Sequence, residues 1–174
     1  MKTLSILLLL AVCAFSLERK SYLKCGETLK VNEFIESTNG YYAILQGDCN
    51  FVIYKSKHFV PRNSLWSSGT SRNNCRNPIL VNQNDGNVVI YNNGVINANN
   101  AIWSTGTNSG SQCYSFIMQD DGNLVLYTSD FKPVWSSGTF AWFRNLLYHF
   151  NLILLSWAIL IFMQFKFHSA KSEG

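Results

Sequence analysis

The chain has 174 residues, 47% of them hydrophobic and only 14% charged, with a formal charge of +4. That length holds one domain with a real core, and the aromatic content argues against disorder. The charge is too small for a protein that coats nucleic acid, so no nucleic-acid partner is expected.

The first segment, residues 1–16, reads as a secretory signal peptide. Lys2 gives a short basic start, Leu4–Phe15 is apolar, and Ala14-Phe15-Ser16 is a small-x-small site. Those three features in that order mark a signal cleaved after Ser16. The expected location is the secretory pathway and then the cell exterior, either secreted or held at the surface. Cys13 leaves with the signal, while Cys25, Cys49, Cys75 and Cys113 remain. Four thiols in an oxidising compartment point to disulfides, with three pairings open. No CxxC pair exists, which disfavours a structural zinc site.

Residues 17–139 form the expected domain, and they carry an internal repeat. Three segments align without gaps on the pattern Q-x-D-x-N-x-V-x-Y, beginning at Gln46, Gln83 and Gln119. The offsets are 37 and 36 residues. Each repeat closes on a second match: Trp66-Ser67-Ser68-Gly69-Thr70, Trp103-Ser104-Thr105-Gly106-Thr107 and Trp135-Ser136-Ser137-Gly138-Thr139. A recurrence of this length signals one supersecondary unit used three times.

Each unit is β-rich. Tyr42–Leu45, Ile79–Val81 and Phe116–Met118 are short apolar runs before the motif. Phe51–Tyr54, Val88–Tyr91 and Leu124–Tyr127 are β-branched and aromatic runs that follow its turn. A straight strand through nine residues would span roughly 27 Å, too long to hold one small ligand. A three-residue hairpin loop whose last residue is left-handed removes the difficulty. Gln83 then faces Asn87, and Asn87, Val89 and Tyr91 share one face. Gly86 takes the left-handed place without steric cost, and Cys49 takes it in repeat one at a cost of about 1 kcal/mol. Trp66, Trp103 and Trp135 are expected at the apolar centre. The Ser-Ser/Thr-Gly-Thr after each reads as a turn into the next sheet. Trp follows the motif Tyr by 12 residues in the first two repeats and by 8 in the third. Repeats one and two therefore carry longer loops, Lys55–Leu65 and Asn92–Ile102, which are expected to border the neighbouring pocket region.

The motif's polar set is two amides, a carboxylate and a phenol. It suits a ligand covered in hydroxyls, each of which both donates and accepts. The motif Val offers an apolar surface for the C–H face of a sugar ring. The rival reading is structural: Asp and Asn hold the turn while Val and Tyr line a sheet. Gln is what that reading explains worst. A protein-binding module that keeps the motif for folding is the corresponding alternative function. Catalysis is disfavoured: His58 is the only histidine of residues 17–139, and no G-x-S-x-G or H-E-x-x-H occurs. Asp120, beside Asp121, occurs in one repeat only and points to the opposite face by alternation. Asp-x-Asn lacks the further carboxylates of a calcium loop, so no metal and no cofactor is expected.

The triple motif resembles that of the bulb-type mannose-binding lectins, also known as lily-type lectins, over about Ser21–Thr139. Gly26-Glu27-Thr28-Leu29 looks like that family's first strand. The resemblance implies an all-β fold, a β-prism II of three four-stranded antiparallel sheets about a pseudo-threefold axis. It implies one metal-independent mannose pocket per repeat and mannose-containing glycans as partners. In the family, Asp and Asn hold the axial 2-hydroxyl, Gln the 3-hydroxyl and Tyr the 4-hydroxyl, with Val against the ring. Carried over, these roles fall on Gln46, Asp48, Asn50, Val52 and Tyr54. In repeat two they fall on Gln83, Asp85, Asn87, Val89 and Tyr91, and in repeat three on Gln119, Asp121, Asn123, Val125 and Tyr127. The resemblance also implies a Cys49–Cys75 disulfide. It leaves Cys25 and Cys113 to pair, stay free or link two chains.

Residues 140–174 are a hydrophobic tail. Leu146–Phe165 is 20 residues without a charge, about the length of a transmembrane helix. Arg144 precedes it and Lys166, His168 and Lys171 follow, a weak positive-inside bias. The expectation is a single span over 146–165 that anchors the domain. In plant members of the family the chain end often swaps strands between subunits. A tail of this kind is not part of that pattern, so a homodimer stays open. Residues 17–139 carry ten Lys/Arg against nine Asp/Glu, so the basic excess sits at the chain ends.

Overall fold

The computed structural model describes residues 19–110 and 112–141. The expected signal at 1–16 and the expected span at 146–165 lie outside the described residues. The chain divides into two units, Met1–Thr139 and Phe140–Gly174, and the first carries the repeats. No helix among the described residues is long and apolar enough to cross a membrane.

Each repeat folds as an antiparallel meander of three strands. Repeat one supplies β4 (Tyr42–Leu45), β5 (Phe51–Tyr54) and β6 (Ser64–Ser67). Repeat two supplies β7 (Ile79–Asn82), β8 (Val88–Tyr91) and β9 (Ala101–Ser104). Repeat three supplies β10 (Ser115–Met118), β11 (Leu124–Tyr127) and β12 (Pro133–Ser136). The apolar and β-branched runs thus fall where their pattern places them, and the two sequence-expected strands that differ each gain one residue. The loops between β5 and β6 and between β8 and β9 end at Asn63 and Asn100, two residues earlier than the sequence suggested.

The fourth strand of every sheet comes from the segment before the repeats. It holds β1 (Tyr22–Leu23), β2 (Thr28–Leu29) and β3 (Phe34–Glu36). The sheet orders are β1-β10-β11-β12, β2-β7-β8-β9 and β3-β4-β5-β6. One short segment therefore visits all three sheets in turn. Thr28–Leu29 is the second strand of this chain, not the first. A hexad underlies the walk: Leu23, Leu29 and Ile35 all point into the core and are fully buried or nearly so. Glu27 and Glu33 accept the Lys24 and Lys30 backbone N–H groups, both at 2.8 Å, and so shape the two turns alike.

The three sheets form the β-prism that the family resemblance implies. Inward residues from every sheet, among them Ile53, Leu80, Ile90, Phe116 and Leu126, form one core. Burying each stabilises the fold by about 1.5–3 kcal/mol. Trp66, Trp103 and Trp135 meet edge to face with ring centroids 5.7–5.8 Å apart. They pack against the core and stay half-buried. Two disulfides form, Cys49–Cys75 and Cys25–Cys113, closing loops of 26 and 88 residues. The pairing of Cys25 and Cys113, open from sequence, is thus within one chain.

One core position breaks the apolar rule. Asn82 sits where repeats one and three carry Leu45 and Met118, and it is 0% exposed. Its amide donates to the Leu23 carbonyl at 2.9 Å and the Tyr114 carbonyl at 2.8 Å. It thereby ties β1 and the lead-in to β10 to the sheet of repeat two. Asn82→Leu matches the other repeats in apolarity but strips two buried carbonyls of their donor. The expected loss is about 1–3 kcal/mol, read as a lower urea midpoint at unchanged slope. An unchanged or higher midpoint would contradict this account.

Candidate functional site

The site is built on the hairpin turn between the first two strands of each repeat. Gly86 and Gly122 have φ of +82° and +87°, and Cys49 has φ of +73° in the same place. Gln46 N–H donates to the Asn50 carbonyl at 2.8 Å, and Cys49 N–H returns to the Gln46 carbonyl at 3.1 Å. Gln83 pairs likewise with Asn87 and Gln119 with Asn123. This is the three-residue loop with a left-handed third residue that the motif spacing predicts.

The motif Asp holds that turn with one oxygen. Asp48, Asp85 and Asp121 each accept, through Oδ1, the backbone N–H of the motif Asn at 2.9–3.0 Å. The structural reading of Asp is therefore half right. The second oxygen of Asp85 and of Asp121 meets no donor among the described residues. That of Asp48 accepts the Ser71 hydroxyl at 2.6 Å.

The left-handed residue also explains the odd cysteine. A Cβ on Gly86 would stand 2.5 Å from the Tyr114 ring, and one on Gly122 would stand 2.8 Å from Tyr41. Tyr41 and Tyr114 directly precede β4 and β10, and the residue before β7 is Pro78. The one repeat that supplies no such tyrosine corresponds, round the prism, to the one turn without glycine. There the Cys49–Cys75 disulfide takes the tyrosine's place.

The block after each Trp does more than turn the chain. Asn50 Oδ1 accepts from the Ser68 hydroxyl at 3.1 Å and the Thr70 N–H at 3.3 Å. Asn87 Oδ1 accepts from Thr105 and Thr107 in the same way, and Asn123 Oδ1 from Ser137 and Thr139. The Thr70, Thr107 and Thr139 hydroxyls reach back to the carbonyl of the left-handed residue at 2.6–2.7 Å. Each motif amide is thus clamped by its oxygen, which leaves its NH2 to face outward. Sequence reasoning missed these positioning hydroxyls. Their signal was present, because the hydroxyls recur at fixed distance from the motif Asn in all three repeats.

Val, Gln and Tyr complete the face. Val52, Val89 and Val125 form its floor at 2–4% exposure. Gln46, Gln83 and Gln119 donate through Nε2 to the hydroxyls of Tyr54, Tyr91 and Tyr127 at 2.8–3.1 Å. Each Gln keeps an amide oxygen and each Tyr a hydroxyl proton that no protein group meets among the described residues. Each repeat therefore brings together all five predicted residues. They present an amide NH2, a Gln carbonyl, a phenolic O–H and one carboxylate above an apolar floor, with an outer oxygen open in repeats two and three.

The surroundings differ between repeats. In repeat one, Phe59 of the β5–β6 loop packs on Tyr54 with centroids 5.2 Å apart, and also on Tyr42 and Phe34. That loop walls the pocket of its own repeat; the expected contact was with a neighbouring one. Asp120 lies outside the set. Its carboxylate accepts the Thr38 hydroxyl and N–H, and the Thr38 hydroxyl above all holds it below the usual carboxylate range. Among the described residues no three His, Cys, Asp or Glu side chains gather into a metal-sized group.

Fold and site define a β-prism with three polar hairpin sites built on one motif. Solved structures of the same kind are lectins. A monomeric monocot mannose-binding lectin from Gastrodia elata aligns at 33% identity and TM-score 0.60, over 70% of this chain and 100% of that one. The mannose-specific agglutinin of snowdrop, Galanthus nivalis, solved with methyl-α-D-mannoside, aligns at 32% identity and TM-score 0.53, over 70% and 99%. A Polygonatum cyrtonema lectin with bound monomannoside aligns at 33% identity and TM-score 0.53, over 68% and 96%. No family model matches the chain, and neither does any curated protein sequence. The chain belongs to the monocot mannose-binding lectin family.

Gly86→Ala tests the turn. It adds a methyl group inside the Tyr114 ring at a left-handed position, whereas Gly69→Ala, at φ +68°, meets nothing within 4 Å. Both variants pay the left-handed strain of roughly 1–2 kcal/mol, and overpacking adds about 1–3 kcal/mol to Gly86→Ala alone. Thermal unfolding should show Gly86→Ala clearly less stable than Gly69→Ala. Equal losses would mean the tyrosine does not seat on the turn.

Proposed function

We propose that this domain is a metal-independent lectin that binds mannose and high-mannose glycans through three weak pockets. One observation carries the reading: among the described residues the Asn NH2, the Gln carbonyl and the Tyr hydroxyl proton stay unmet in all three repeats, in the same arrangement, over a buried valine, and in repeats two and three one Asp oxygen does too. A partly exposed polar group without a protein partner is satisfied by water or by ligand. Vicinal sugar hydroxyls match the set, since each can donate to Asp or to the Gln carbonyl and accept from Asn or Tyr. The sugar's C–H face meets the valine. Fold alone would not carry this, because one fold hosts many functions.

The chemistry is binding, without catalysis. Glycoside hydrolysis uses two carboxylates about 5–10 Å apart across one bond, and each motif contributes one. Three or four hydrogen bonds, each net about 0.5–1.5 kcal/mol, give roughly millimolar affinity for one pocket. Several pockets on one glycan surface raise avidity by about 10²–10⁴. The domain needs no second chain for its sheets, since β12 pairs with β11 of the same chain. We place it outside the cell, supported by the signal reading of residues 1–16 and by two disulfides. The tail at 146–165 is its proposed membrane anchor; recovery of the chain only in the medium would remove that anchor.

The full chain, produced in an oxidising host, should be retained on a mannose column and eluted by free mannose. Flow-through of folded protein would overturn the lectin reading. Replacing Asp48, Asp85 and Asp121 together by Asn should abolish retention, since each variant loses its charge-assisted bond while the amide oxygen can still hold the turn. Retention by the folded triple variant would argue against these carboxylates as sugar ligands. A strong chelator should leave binding unchanged, because the pockets offer no calcium-type ligand set. Loss of binding on chelation would point to a metal-dependent mechanism.

A further inference from the structure

The three pockets differ at their carboxylate. In repeats two and three, Asp85 and Asp121 hold the turn with one oxygen, and the other is open among the described residues. In repeat one the Oδ2 of Asp48 already accepts the Ser71 hydroxyl at 2.6 Å, a normal length for an O–H···O⁻ bond. Ser71 is fixed from both sides. Thr70 before it is bonded to the Cys49 carbonyl at 2.6 Å, and Arg72 N–H after it donates to the Asp48 carbonyl at 3.0 Å. Repeat two runs its backbone the same way, with Ser109 N–H on the Asp85 carbonyl at 2.9 Å. Between repeats one and two only the side chain there differs, and Asn108 makes no bond to Asp85; in the sequence of repeat three the same position is Phe140, which has no hydroxyl.

A serine hydroxyl offers Asp48 what a sugar hydroxyl would offer. We propose that Ser71 is a specificity-determining residue that occludes the first pocket, so that repeats two and three bind terminal mannose and repeat one binds it less tightly. This rests on the reading of the pockets as mannose sites. The sugar must displace an internal hydroxyl that is already positioned, while in the other repeats it displaces only water. Losing the advantage of about one net hydrogen bond weakens the first site by roughly three- to tenfold. The chain then acts as a divalent lectin at sugar concentrations that fill the two open pockets.

The test is a titration of the 15N-labelled full chain with methyl α-mannoside. It is followed at the backbone amides of Asn50, Asn87 and Asn123, each of which donates to the carboxylate of its own pocket. The Asn87 and Asn123 signals should saturate together, and Asn50 should need roughly three- to tenfold more sugar. In Ser71→Ala the Asn50 midpoint should fall to match the other two, which should not move. Ser71→Thr keeps the hydroxyl and should behave as the native chain. Equal midpoints in the native chain, or an Asn50 midpoint that stays or rises in Ser71→Ala, would overturn the proposal. So would a Thr variant that opens the pocket as Ala does, since that assigns the effect to packing. If none of the three amides shifts, the mannose reading falls and takes this proposal with it. Shifts at all three with equal midpoints leave the mannose reading standing alone.

Discussion

A left-handed residue in each hairpin turn sets everything else on the binding face. Side chains alternate along a strand, so a turn longer or shorter by one residue would exchange the two faces of the sheet. With Cys49, Gly86 or Gly122 in that conformation, the motif Gln pairs with the motif Asn across the turn. Asn, Val and Tyr then project outward, while Phe51 and Ile53, Val88 and Ile90, or Leu124 and Leu126 project into the core. Site and core are therefore two readings of one register. This is why one motif can carry both the residues that fold the turn and the polar groups that face away from the core, with Asp85 and Asp121 holding the turn by one oxygen only.

The hydroxyl block after each tryptophan extends that logic. The Trp side chains meet one another and the core, and the residues just beyond them return to the turn to hold the motif amide by its oxygen. An amide with its oxygen clamped has only one way to present its NH2. The pocket is thus oriented before any ligand arrives, and less ordering entropy is lost on binding. The threefold arrangement supplies three copies of this device, and departures from symmetry mark where the copies diverge: Cys49 for glycine, Pro78 for tyrosine, Asn82 for an apolar residue, Ser71 beside the first carboxylate.

Most of the fold was legible because the repeat is long and its strands alternate cleanly. The hairpin loop and its left-handed residue follow from the motif spacing, and the shared face of Asn, Val and Tyr follows from strand alternation. The strands β1, β2 and β3 were not legible as a set. Each has two or three residues, too few for alternation to show, and the hexad of Leu23, Leu29 and Ile35 has neither a helical nor a simple strand period. The Cys25–Cys113 pair depends on where that segment runs, so it stayed open for the same reason. The hydroxyl clamp was visible as a recurrence but was read as a turn, because Ser, Gly and Thr are also what turns use. Ser71 follows the shared block, at a position where the repeats disagree, and a single hydroxyl there has no meaning until its partner is placed.

The segment that visits all three sheets has a consequence for synthesis. β3 meets β4 almost at once, β2 must wait for β7, and β1 must wait for β10. The part of the domain made first is therefore completed last, and it is wound in from its far end backwards. Each later closure spans a longer stretch of chain, although the entropic cost of closing a loop grows only slowly with its length. Cys49 can meet Cys75 once the second repeat begins to emerge, but Cys25 has no partner until Cys113 is made. Between those two moments the growing chain carries β1 with no sheet to join and one thiol still without its mate. The order of disulfide formation is thus written into the strand order of the finished prism.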